Sequence, residues 1–137
     1  MSHINVELQS MLFQVLNTDG DLSDLGVKGV YDKVVDNAAY PYIRLDKMDA
    51  KPFDNHSDTG FSGEVTVKVF DQNDSSLRTK QIQGRIYDLL HDGNVDTTSF
   101  EKINFRCKLT NSIIENDSRT HNGTQIFEFI YSRKINP

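Results

Sequence analysis

Apolar residues recur at steps of three and four through the first part of the chain: Ile4, Leu8, Met11, Leu12, Val15 and Leu16. Glu7, Gln9, Ser10 and Gln14 fall mainly off that line. One stripe of this period predicts an amphipathic helix, with Ser2 as its cap. Residues 17–21 should end it, Gly20 supplying the positive φ that closes a helix. Residues 21–26 read as a short helical turn that returns Leu22 and Leu25 to the core. From Lys28 the period changes to two. Residues 30–35 are β-branched and aromatic and predict a first strand, followed by a turn at 36–38. Residues 40–45 predict a second strand, with Pro41 at its start or at a sheet edge because it has no N–H for the ladder.

Residues 47–60 carry Asp49, Lys51, Pro52, Asp54, Asn55, His56, Ser57 and Asp58 around one large apolar residue, Phe53. This pattern predicts a long mobile loop or an extended hairpin tip. The clearest strand is 61–70, where Phe61, Val65, Val67 and Val69 alternate with Glu64, Thr66 and Lys68. After a turn at 71–75, Ser75 or Ser76 can cap a second amphipathic helix with Ile82, Ile86, Leu89 and Leu90 inward and Leu77 at the entry of that stripe. His91, Asp92 and Gly93 end that helix, and two further strands are expected near 104–114 and 124–133. In the last, Phe127, Phe129 and Tyr131 alternate with Ile126, Glu128 and Ile130. Apolar groups on both faces place this strand at the sheet centre or in a subunit interface. The expected fold is α+β: a mostly antiparallel sheet of about five strands with two amphipathic helices packed on one face.

Composition narrows the functional classes. The 137 residues suit one domain spanning the chain, and 36% hydrophobic residues suffice for one core. Fifteen basic against 20 acidic residues give a net charge of −5, which argues against a basic nucleic-acid footprint. No apolar run is long enough for a bilayer-spanning helix, and Met1 to Asn5 lacks the pattern of a secretory signal, so a cytosolic protein is expected. The single Cys107 cannot form an internal disulfide or a Cys-rich zinc site. Alternation would put Phe105, Cys107 and Leu109 on one face, which suits a buried, inert thiol.

Candidate chemistry is sparse. Asp54, His56 and Asp58 offer carboxylates and an imidazole for a metal or a proton, but on a polar loop with no firmly placed partner; the plainer reading is a solvated loop. Arg119 and His121 offer an anion site, and the plainer reading is a hairpin shoulder with Arg119 paired to Asp117 and Gly123 supplying backbone freedom. Arg78, Lys80 and Arg85 on the second helix read as an ordinary solvated face. No phosphate loop, nucleophile elbow, HExxH or CxxC is present, so catalysis and cofactor binding are not expected.

Four motifs in order carry a resemblance. The N-terminal helix leads to Leu22-Ser23-Asp24-Leu25. Gly29-Val30-Tyr31-Asp32 precedes Ala39-Tyr40-Pro41-Tyr42-Ile43-Arg44-Leu45. The strand Glu64 to Asp71 precedes a helix ending Ile86-Tyr87-Asp88-Leu89-Leu90-His91. Asp117-Ser118-Arg119-Thr120-His121-Asn122-Gly123 opens the final strand, with Asn122 inserted where the family's ending runs from His directly to Gly. Together they resemble the tail completion or tail terminator (head-to-tail joining) proteins of long-tailed phages. The resemblance implies a structural virion protein and no enzyme. It implies a homo-oligomeric ring, usually a hexamer, that ends polymerisation of the tail tube and offers a docking surface to the head connector or stopper. The tube protein and the connector are then the partners, DNA passes through the channel without specific binding, and assembly takes place in the host cytoplasm. Within that reading, Phe53, Asp54, His56 and Asp58 in the long loop and Asp117, Arg119 and His121 in the last turn are the expected contact residues. The alternatives are a neighbouring head-closure or stopper ring and, more remotely, a small metal-dependent hydrolase built on Asp54, His56 and Asp58.

Overall fold

The protein is represented by a computed structural model that describes residues 4–33, 36–54, 58–91, 94–95 and 102–134. Helix α1 spans Ile4–Thr18 and helix α2 Gly20–Asp24. Strand β1 is Val30–Tyr31, β2 Tyr42–Asp54 and β3 Asp58–Gln72. Helix α3 is Leu77–Leu90, and strands β4 (Asn94–Val95), β5 (Lys102–Ile114) and β6 (Thr120–Lys134) complete the order. The described strands form one six-stranded sheet in the order β1-β2-β3-β6-β5-β4. It is mixed but mostly antiparallel: only β1 runs parallel to its neighbour. The α+β class is as expected, and β6 is indeed central.

Helix α1 stops for a reason other than the one its sequence suggested. Gly20 has no positive φ; it opens α2, and Asp19 takes the extended N-cap conformation, its Oδ2 accepting from the Leu22 amide at 3.0 Å. The left-handed glycine is Gly26, at φ +93°. At α3 the two serines share the work: Ser76 holds the N-cap position, and Ser75 Oγ accepts from the Leu77 amide at 3.0 Å.

The core lies between the helices and one sheet face. Leu8, Leu12 and Leu16 of α1, Leu22 of α2, and Ile82, Ile86 and Leu90 of α3 meet Ile43, Val65, Val67, Val69, Phe105 and Phe127. Each such buried side chain contributes about 1.5–3 kcal/mol of transfer free energy. Helix α3 lies close over β6 because Gly123 leaves room: a Cβ there would stand 2.5 Å from Gln83 Nε2. That amide is held, donating to the Asn111 carbonyl at 2.8 Å, while Gln125 Nε2 donates to the Gln83 carbonyl at 2.9 Å.

Two expectations are corrected. Of the two readings of residues 47–60, the long loop is overturned and the extended hairpin holds: β2 pairs with β3 from Tyr42↔Phe70 to Asp54↔Thr59, and β3 continues along β6 to Asp58↔Lys134. The pattern concealed the strand because Lys47, Asp49 and Lys51 alternate with half-buried Met48 and Ala50 in a polar run, and backbone pairing needs no large apolar side chain. Gly63 permits the close crossing there, since a Cβ would fall 1.8 Å from the Asp49 carbonyl oxygen. Second, the register of β5 shifts between Cys107 and Leu109. The bulge at Lys108 turns Leu109 to the opposite face from Phe105, leaving Leu109 44% exposed and Cys107 half-buried. The extra residue is accommodated by α3: His91 Nδ1 accepts from the Cys107 amide at 2.9 Å, with its ring stacked on Tyr87.

Candidate interaction surfaces

The sheet face opposite the helices is open. At one end Tyr42 stacks on Phe70 with centroids 5.1 Å apart, Tyr31 and Tyr40 pack against Tyr42, and the Arg44 guanidinium lies 4.8 Å from the Phe70 ring centre. Burial pushes the Tyr42 phenol above its ordinary value. Next come ion pairs, Arg44–Asp46 at 3.0 Å and Lys68–Asp46 at 3.7 Å. Further along, Lys108 bridges Glu64 at 2.7 Å and Glu128 at 3.9 Å, and the Glu64 contact raises its ammonium pKa. A groove of about 590 Å³ runs beside this cluster, walled by Asp49, Lys51, Arg106 and Ile130. Leu109, Ile113 and Ile130 also stand on this face, each 44–58% exposed.

The helix side carries a second groove, of about 650 Å³, between α2 and α3. Asp21, Asp24 and Asp88 line it with Leu25, Tyr87 and Gly84. Arg85 is drawn into a bidentate pair with Asp19, at 2.7 and 2.9 Å, and lies 3.4 Å from Asp21. That hydrogen bond raises the Arg85 pKa and, foremost among several contacts, lowers that of Asp19. Two turns towards the start of α3, Arg78 grips buried Asp71 through two bonds at 2.6 and 2.7 Å. Two of the three cations expected on a solvated helix face are therefore clamps that fasten α3 to β3 and to the α1–α2 junction. Their acidic partners lie 7 and 66 residues away, a pairing that local periodicity does not reveal.

The residues expected to make contacts fall in two places. Phe53, Asp54 and Asp58, placed by their backbone, end the β2–β3 ladder, and His56 lies outside the described residues. Asp117 sits at the opposite end of β6. It accepts from the Arg119 and Thr120 amides at 2.9 and 2.8 Å and from the Thr120 hydroxyl at 2.6 Å, which hold its pKa down at about 2. Asp117 thus shapes the turn, with Ser118 at φ 58°, and its carboxylate bonds the Arg119 backbone. Arg119 is exposed. His121 is buried, its Nε2 within 2.9 Å of the Asn73 carbonyl, so it ties the turn after β3 to the start of β6. The two groups are held apart: β6 has 15 residues, a length of roughly 45–50 Å. Among the described residues no three His, Cys, Asp or Glu side chains are placed to hold a metal ion, and no helix is long and apolar enough to cross a membrane.

The described residues thus form one sheet with one face covered by helices that Arg78 and Arg85 clamp in place, and the other face open. The chain belongs to the family of Tail completion protein gp17, which matches residues 10–132. It is thus a structural protein of phage-like virions and not an enzyme. Among solved structures it is similar to a chain of the "Virion of native gene transfer agent (GTA) particle", with a TM-score of 0.82 and 15% identity over 97% of this chain and 100% of that one. No curated protein matches.

Proposed function

We propose that copies of this chain close into a ring, a hexamer, at the head-proximal end of the tail tube. The ring ends tube polymerisation and presents a docking surface to the head connector. The observation that carries this reading is the separation of the β2–β3 end from the Asp117–Arg119 turn along β6. A ring that joins two different structures needs contact elements on two opposite sides, and a rigid strand of roughly 45 Å spans the distance between them. The net charge of −5 suits a channel that DNA crosses without sticking. The tube protein meets one end of the subunit and the connector the other.

The test is to add purified protein to growing tail tubes and image them. Expected are closed rings on one tube end and tubes that stop lengthening. Protein found on filled heads and absent from isolated tails would instead assign it to the neck as a head-closure ring. Deleting residues 53–58 leaves Thr59 and Gly60 as a two-residue turn between Pro52 and Phe61, which pair in the full chain. That variant should fold normally yet fail to join heads to tails; normal infectious particles would remove the strand end from the contact.

A further inference from the structure

Gly84 has no structural reason to be glycine. It lies inside α3, its φ is not positive, and a Cβ added there would meet nothing within 4 Å. Glycine in a helix interior destabilises the helix relative to alanine. At this position glycine leaves the lining of the α2–α3 groove without a side chain. Along the same outer stripe of α3 stand Leu77, 60% exposed, Gln81 and Asp88, while Tyr87 and Leu25 add apolar area to the wall.

The groove is acidic. Asp21, Asp24 and Asp88 surround it, and its single cation, Arg85, already serves Asp19 and Asp21. The open sheet face, on the other side of the molecule, has the opposite balance. Arg44, Lys47, Lys51, Lys68, Arg106 and Lys108 stand there against Asp46, Asp49, Glu64 and Glu128. Lys47 retains 70% of its side-chain exposure and makes only a 3.4 Å contact to Asp49. Leu109, Ile113 and Ile130 supply exposed apolar area on the same face.

We propose that the α2–α3 groove receives the open sheet face of the next copy of this chain. Two unlike patches on opposite sides of one molecule make a heterologous contact, the kind that closes a ring when repeated. Gly84 lets the neighbouring backbone approach, the apolar groups are covered, and the lysines of β2 meet the aspartates of α2 and α3. This inference rests on the ring reading and specifies its subunit contact.

Gly84→Leu separates docking from folding. It should preserve or raise the melting temperature while raising the concentration for half-assembly at least about tenfold, as measured by light scattering and by ring counts on tubes. Charge exchange supplies the direction. Asp24→Lys with Asp88→Lys, and separately Lys47→Glu with Lys51→Glu, should each block assembly, because like charges then face one another. Mixing the two variants, or combining all four changes in one chain, should restore it. Asp24→Asn with Asp88→Asn keeps the test if the reversed pair misfolds, and should weaken assembly without abolishing it. If wild type assembles and the folded variants assemble as well as it does, the contact is overturned and the ring reading stands. If mixing folded variants fails to restore assembly, the contact is likewise overturned. If wild type stays monomeric even on tubes, the ring reading falls, and this contact with it.

Discussion

The two faces of the sheet share the same central strands but are built for different tasks. On the covered face Ile43, Val65, Val67, Val69, Phe105 and Phe127 are fully buried against three helices, and two buried polar side chains there, Asp71 and Gln83, bond Arg78 and Asn111 at close range. On the open face the interactions are solvent-accessible pairs such as Lys108–Glu64, with exposed isoleucines between them. Folding free energy is concentrated on one side, which leaves the other free to specify neighbours.

The sharpest way to break that contrast is to empty the covered face. Phe127→Ala should cost about 3–5 kcal/mol in urea unfolding, because it leaves a cavity at the sheet centre. Arg78→Ala comes next, at about 2–3 kcal/mol, since it leaves the buried Asp71 carboxylate without its ion-pair partner. Gly123→Ala should cost about 1–2 kcal/mol by displacing the Gln83 amide from Asn111; its signature is a loosening of α3 seen in hydrogen exchange. The turn that joins β5 to β6 titrates. The Asp117 pKa is depressed to about 2 from an ordinary 3.8, so its contribution is complete above that ordinary value and is lost as the pH falls from about 4 towards 2. Asp117→Asn should flatten that part of the acid unfolding curve and lower stability at pH 7, where the carboxylate's contribution is otherwise complete. On the open face Lys108→Ala should leave the melting midpoint unchanged within error at moderate salt, as exposed pairs do. A large loss there would mean that the open face also supports the fold.

The sequence disclosed those elements whose side chains are sorted by burial. The stripe of α1, the alternation of β3 and the inward row of α3 were legible because a helix layer separates their apolar and polar positions. The strand at 47–54 was not, because its exposed positions are charged and its inward positions are modest in size. The bulge at Lys108 was equally hidden: it depends on a histidine 17 positions earlier filling the gap, a tertiary contact without a local pattern. Asp117 and His121 stand in the sequence as polar groups near a turn, and the bonds by which they also shape that turn have no local pattern. The empty space beside Gly84 is likewise a property of the fold and not of the local sequence.

The position of β6 has a consequence for how the protein is made. Strand β6 separates β3 from β5, so the β1–β2–β3 half and the β4–β5 half of the sheet share no ladder with each other. During synthesis both halves wait with one edge unfilled until residues 120–134 have emerged and zipped between them. The β3–β6 pairing joins residues as far apart as Asp58 and Lys134, and such long-range closure is slow. Sheet completion therefore comes late. The continuous sheet face on which the proposed subunit contact rests exists only once β6 is in place.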